Sequence, residues 1–435
     1  MKNLLFKLYK DIDKPIPGIS LSLFRLVFSI ILLIQTYYFL AHNFIEQNII
    51  KPFILFPFIK GLNIDNPITI GYIMLIANIG MLYNKFARIS TLIFFICFTY
   101  FWLLDKGYFN NHYYFISLIC FLIFLTEKNA SFTHNNHIPK ISLLSLQVMV
   151  VIVYFVAGVN KLNPFWLFDL QPMKHILEYK SNLTQNPVFE NQFIIILACY
   201  CGLFFDLFIG FILFWKKTRL FGFIIALIFH LGNYYLFYDV GEIGVFPFIM
   251  ISTLILFINP EILNKIFKLT QKPKIQSHNT IFINAFIIFF LIIQLLIPFR
   301  HTLFKGHVDY TGIGQRFSWR MKIMYKEVDF KYFIINPQNN EKYAVNVEKM
   351  LTPKQYNNLK YFPDLIVPLA KKIKLEAAEK FNIQNAKVIC EYKMGFMGQK
   401  QKLLFSPELD LSKIQTSTLT NQWLWPLKKS TNLDR

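Results

Sequence analysis

The chain has 435 residues, 54% of them hydrophobic and 16% charged, with 49 phenylalanines and a formal net charge of +20. So apolar a composition excludes an ordinary water-soluble enzyme of this length and points to a polytopic membrane protein. The positive charge is spread over loops and the C-terminal third, which topology and contact with anionic lipid explain without nucleic acid.

The first apolar stretch, at 19–40, is long and bulky and has no small-residue cleavage site behind it, so it is expected to remain as an anchor rather than be removed as a signal peptide. Further apolar stretches at 67–83, 87–104, 112–126, 142–159, 192–214, 220–238, 243–258 and 280–298 bring the expected number of transmembrane helices to about nine. Lys2, Lys7, Lys10 and Lys14 precede the first span. With nine spans, Lys85 and Arg88, Lys128 and Lys140, Lys216, Lys217 and Arg219, and Lys265, Lys268, Lys272 and Lys274 all fall on that same side. The connection at 238–244 carries no Lys or Arg. This asymmetry predicts a cytoplasmic N-terminus in the cytoplasmic (inner) membrane, and places the C-terminus outside.

Beyond residue 298 the pattern changes. The alternation in 316–335 and 386–396 predicts strands. Residues 352–381 read as helical, with Thr352 as cap and Pro353 at the first helical position. The expected organisation is a helical membrane domain, 1–298, followed by an outward-facing, mainly β (α+β) soluble domain, 299–435. The cysteines Cys97, Cys120, Cys199, Cys201 and Cys390 have neither disulfide-framework nor zinc-site spacing, and no metal is expected. Nor is there a nucleotide-binding loop, a nucleophile elbow or an internal repeat.

What remains are polar groups at span ends: Asn111 and His112 in FNNHYYF, Asn160 and Lys161 in AGVNKLNPFW, and His230 and Asn233 in FHLGN. Ionisable residues at that depth usually face a protein interior or a cavity. Lys161 also reads as a lysine snorkelling from a helix end.

Taken in order, AGVNKLNPFW, FNNHYYF, FHLGN, residues 298–321, 351–370 and 406–415 are similar to vitamin K-dependent gamma-glutamyl carboxylase and its bacterial relatives with an HTTM-type transmembrane domain. The resemblance runs from the first span to WLWPL at 423–427. It implies a membrane bundle with an exported domain containing a β-sandwich. The implied reaction couples oxygenation of reduced vitamin K or menaquinone by O2, giving the epoxide, to carboxylation of glutamate by CO2 supplied as bicarbonate. Membrane lipid, the quinone and an exported glutamate-containing peptide are the implied partners.

The resemblance aligns Lys161 with the family's base towards the hydroquinone and puts Asn160 where the animal enzyme has a second lysine. A free lysine titrates near pH ~10.4, and desolvation of an amine can lower that by several units. His112 matches the histidine of the family's asparagine-histidine motif; it suits a hydrogen bond to quinone oxygen or a developing oxyanion, with Asn111 to orient it, or a structural role at a span boundary. For His230 and Asn233, quinone binding and a buried histidine bonded to a backbone carbonyl both stay open. Phe155, Trp166 and Tyr114 suit either an aromatic quinone pocket or ordinary packing. Arg316, Trp319 and Arg320 suit a junction between the soluble domain and the bundle, a carboxylate-receiving role, or a strand with one solvated face. A quinone oxidase or epoxidase without protein carboxylation, and a non-catalytic quinone- or lipid-binding scaffold, are the alternative functions.

Overall fold

The computed structural model describes residues 10–50, 66–126, 130–239, 243–269, 272–273, 275–276, 278–415 and 423–427. Lys2, Lys7, Lys128, Lys274 and the centre of the 238–244 connection lie outside them. Five helices are long and apolar enough to cross a membrane: α1 (Ile19–Ala41), α5 (Lys140–Lys161), α7 (Gln192–Phe214), α8 (Arg219–Phe237) and Ile281–Leu303, whose α-helical part is α10 (Ile281–Leu296). α2 (Ile68–Met81), α3 (Ala87–Leu103) and α4 (Asn111–Thr126) have 14, 17 and 16 residues, short of the roughly 20 that a full crossing takes. The eighth expected span, 243–258, is helical only over Phe246–Phe257, and the chain bends sharply just beyond it. The span opens as α9 (Phe246–Ser252) and tightens into a 3-10 turn, and the chain then bends by 91° into Pro260–Ile266. The bend has a local cause: Asn259 caps a new helix by accepting from the Glu261 amide, and Pro260 starts it. Among the described residues five helices, or six if the bent pair is one span, have the length and apolarity of a full crossing, against the nine expected; apolar composition located the segments, but their length is set by capping and packing.

The helices group their polar connections at two ends. At one end, β1 (Pro15–Pro17), β2 (Asn136–Pro139) and β3 (Ile275–Gln276) form a small sheet in that order. Asn84 joins it there, accepting from Arg25 at 2.5 Å and donating to Ser131 at 3.0 Å, and Asn264 donates to Asn135 at 2.9 Å. At the other end, the connection between α3 and α4 meets the C-terminal domain: Gln355 donates to Asp105 at 2.7 Å, and Asn358 donates to the Gly107 carbonyl. α6 (Met173–Thr184), between α5 and α7, also lies at this end.

The C-terminal domain is a single four-stranded antiparallel sheet in the order β5-β4-β6-β7, formed by β4 (Lys326–Ile335), β5 (Lys342–Val345), β6 (Lys387–Phe396) and β7 (Lys402–Leu403). Period-two alternation sends Tyr332 and Ile334 of β4, with Val388, Cys390 and Tyr392 of β6, to one face. There they pack with Leu359 of α11 (Pro353–Tyr361) and Ile366, Leu369, Ala370 and Ile373 of α12 (Ile366–Phe381). Helices thus cover the face that a second sheet would cover in a sandwich, and no second sheet stands against it among the described residues. Thr352 and Gln355 form the capping box that starts α11, and the Phe362-Pro363 step divides the expected 352–381 helix in two.

The expected strand at 316–335 begins only at Lys326. Before it, Phe317, Trp319 and Lys322 take positive φ values of 63°, 52° and 51°, which breaks any extended run and turns the chain back into the bundle. Lys326 itself is buried, donating to the carbonyls of Tyr361 at 2.7 Å and Tyr310 at 3.3 Å. Burial pushes its amine down to about 7, against the opposing pull of Asp309 and Asp364. Between that value and the ordinary 10.5 the unfolded chain holds a proton that the folded chain has released. Stability therefore rises with pH across this window, by at most ~1.4 kcal/mol per pH unit from this group. Thermal unfolding of the full chain in detergent is expected to shift upward between pH 7 and 9, and Lys326→Met to lose that part of the rise; an unchanged slope would exclude Lys326 as its source.

Candidate active site

α5 and α7 approach closely because glycines face the contact. A Cβ on Gly158 would lie 2.7 Å from the Leu207 backbone nitrogen, and one on Gly210 would lie 2.8 Å from Val151. The Gly158 contact brings the last turn of α5 beside Asp206. Lys161 there forms a hydrogen-bonded ion pair with the Asp206 carboxylate, and the two residues are 7% and 6% exposed. Gly158→Ala meets backbone that cannot move aside, so a stability loss of about 1–3 kcal/mol is expected. Gly232→Ala, where an added Cβ meets nothing within 4 Å, is the matched control. Equal thermal shifts for the two variants would contradict the close-approach account.

The rest of NKLNPFW builds the wall around this pair. Asn163 accepts from the Trp166 amide at 3.1 Å to cap the Pro164–Leu167 turn, and donates to the Asn160 carbonyl at 2.9 Å. The Trp166 indole donates to the Cys199 carbonyl of α7 at 3.1 Å, and the Lys161 amine lies 5.2 Å from its ring centre. A cavity of about 260 Å³ opens beside these groups, with Lys161, Trp166, His112, His230 and Asn233 all on its wall. The His112 ring lies flat on Phe246, centroids 3.9 Å apart. Tyr154 and His230 share a hydrogen bond of 2.6 Å between hydroxyl and Nε2, and both are buried. Two polar pairs, Lys161–Asp206 and Tyr154–His230, thus meet in a cavity whose remaining wall includes Phe229, Phe237, Phe246 and Met250.

The other candidates are placed elsewhere. Asn160 does not accompany Lys161 into the cavity. It donates to the Ser318 carbonyl at 2.7 Å and accepts from Arg320 at 2.7 Å. Asn111, expected to orient His112, donates to the Arg320 carbonyl at 3.3 Å. Arg320 clasps Asp309 through two bonds, at 2.7 and 2.6 Å, and Arg316 pairs with Asp364 at 2.6 Å. Both arginines are buried, so the strand with one solvated face is excluded; Arg320 through Asn160 and Arg316 through the Lys106 carbonyl, at 3.2 Å, tie the domain to the bundle. Trp319 sits fully buried against the ring of Tyr114, whose hydroxyl donates to Gln294. Phe155 packs edge-on against Phe211. None of these residues lines the cavity.

Asp206 and Tyr154 were not among the expected site residues, nor were Met321 and Lys322, which form the cavity wall towards the C-terminal domain. The signal for Asp206 was present: one carboxylate inside an otherwise uncharged 23-residue helix has to be held by a partner. A family model described as HTTM domain matches residues 13–261, and one described as vitamin K-dependent gamma-carboxylase, lumenal domain, matches residues 279–430. No solved structure matches the chain.

Proposed function

Since this multi-pass membrane protein belongs to the vitamin K-dependent gamma-carboxylase family with an HTTM domain, we propose that it is a quinol-dependent carboxylase of glutamate side chains. The observation that carries the reading is the Lys161–Asp206 pair buried on the wall of a largely apolar cavity, beside Tyr154–His230. Such a site fits a flat aromatic ring bearing two oxygens: Trp166, Phe237 and Phe246 offer apolar faces, and the polar atoms are concentrated in the two pairs. When bound, the reduced quinone supplies, through its oxidation by O2 to the epoxide, the driving force for exchanging a glutamate γ-hydrogen for carboxylate from CO2.

Lys161 and Asp206 act together in this reading. The amine donates to the carboxylate, so the group that takes a proton from a quinol hydroxyl is a two-residue unit rather than the isolated amine expected from NKLNPFW. Tyr154 and His230 provide a second place to hold or pass a proton, and His112 lies flat on Phe246 where it can donate to ring oxygen. Buried and surrounded by apolar side chains, these groups keep water from competing. Met321 and Lys322 give a peptide held by the C-terminal domain access to the same cavity. The end of the bundle that carries this domain faces outward in the reading, because Lys85, Arg88, Lys140 and Lys265 lie with the opposite connections.

Lys161→Ala tests the base directly. Loss of epoxide formation by about 10²–10⁴-fold is expected, with the protein folded and partial recovery on adding a small primary amine. Wild-type turnover in that variant would leave Lys161 a structural, snorkelling lysine.

A further inference from the structure

The helices that bound the cavity on its lipid side, α7 and α8, are pinned at one end and parted at the other. Near their connection, a Cβ on Gly222 would lie 3.0–3.1 Å from Ile212 and Leu213, and at mid-helix the rings of Phe205 and Phe229 stack with centroids 3.6 Å apart. About one turn beyond that stack, away from the connection, each helix carries a glycine, Gly202 and Gly232. A Cβ on Gly232 would meet nothing within 4 Å, and one on Gly202 only the Trp166 ring at 3.8 Å. Cys201 of α7 and Ile228 of α8 line the cavity and are at the same time exposed on the outer surface, Ile228 by 66%. A residue that belongs to both surfaces marks an opening between them. The outer surface around the opening is apolar, with Leu197, Phe204 and Leu231 exposed, and it belongs to helices long enough to lie in hydrocarbon.

We infer that the gap between α7 and α8 is a lateral portal through which a membrane-dissolved quinol enters, and in which its apolar tail rests while its ring meets Lys161 and His230. The inference rests on the quinol reading above and adds the route and the tail site. An amphiphile suits the distribution of groups: the polar pairs lie at the inner end, and the lips, Cys201, Ile228 and Gly232, present no charge to the lipid. A charged, water-borne substrate gains nothing along that path and would lose hydration on it.

The full-length protein in lipid nanodiscs, a menaquinone analogue carrying a diazirine on its isoprenoid tail, and the tail-less ring menadione as comparison test this without requiring turnover. Irradiation is expected to label peptides containing Cys201 and residues 228–233, with the label competed away by menaquinone. Cys201→Trp and Ile228→Trp, on exposed positions where added bulk overfills no core, are each expected to reduce the preference for tailed over tail-less ligand by about tenfold. Tail labelling on another pair of helices, or equal loss of both ligands in both variants, overturns the portal while leaving the quinol reading standing. If neither ligand binds the wild-type protein, the quinol reading itself fails and the portal with it.

Discussion

Asp206→Asn is expected to abolish quinol-dependent turnover and to destabilise the protein, although it changes only one atom of the side chain. The amide can still accept a hydrogen bond from Lys161 but no longer balances its charge or takes its proton. An unpartnered ammonium in an apolar bundle costs about 3–5 kcal/mol, and removing half of a proton-accepting unit lowers the rate by about 10²–10⁴-fold. Stability and chemistry separate in the double variant Lys161→Met/Asp206→Leu. Replacing a buried ion pair with apolar groups of similar volume is often neutral for stability, so this variant is expected to melt near the wild type yet remain inactive. Epoxide formation and thermal unfolding, measured on the same preparations, check both parts. Normal turnover in the double variant would make the pair purely structural.

The second large effect lies at the junction of the domain with the bundle. Asp309 is 1% exposed, and Arg320 reaches it through two parallel bonds while also holding Asn160. Arg320→Ala strands that carboxylate, for an expected loss of about 3–5 kcal/mol. Arg320→Lys is not expected to rescue it, because an ammonium cannot reproduce the planar fork that serves Asp309 and Asn160 together. Hydrogen exchange should show the loss concentrated in residues 309–326 and in the last turn of α5. Protection unchanged in that segment would mean that the domain is held to the bundle by other contacts.

Much of the site was legible because membranes make polar residues conspicuous. Lys161, His112, His230 and Asn233 stand out against apolar spans, and packing brings all four to one cavity. Asp206 was equally conspicuous in principle, but inside FFDLFIGFILF a single carboxylate leaves the segment as apolar as its neighbours, and its partner lies on another helix 45 positions away. Tyr154 gave no signal, being one of many aromatics. Thr352, Pro353 and Gln355 were readable because capping is a local matter, settled within four residues. The 316–325 segment was not, since nothing local announces left-handed backbone at Phe317, Trp319 and Lys322, where glycine is absent. Burial of Trp319 and the two arginine clasps impose it, and those partners are distant in sequence.

In the proposed reaction, quinol oxidation in this cavity is coupled to carbon–carbon bond formation on glutamate. The most direct measurement supplies reduced menaquinone or vitamin K, oxygen and isotopically labelled bicarbonate to right-side-out vesicles holding the wild-type protein, with membrane-impermeant glutamyl peptides outside. Label in the peptide γ-carbon's new carboxylate, dependent on quinol and lost in Lys161→Ala, is the predicted result. Epoxide without label across a broad set of peptides would contradict that coupling in favour of a quinol oxidase, and neither product would leave a quinone-binding scaffold.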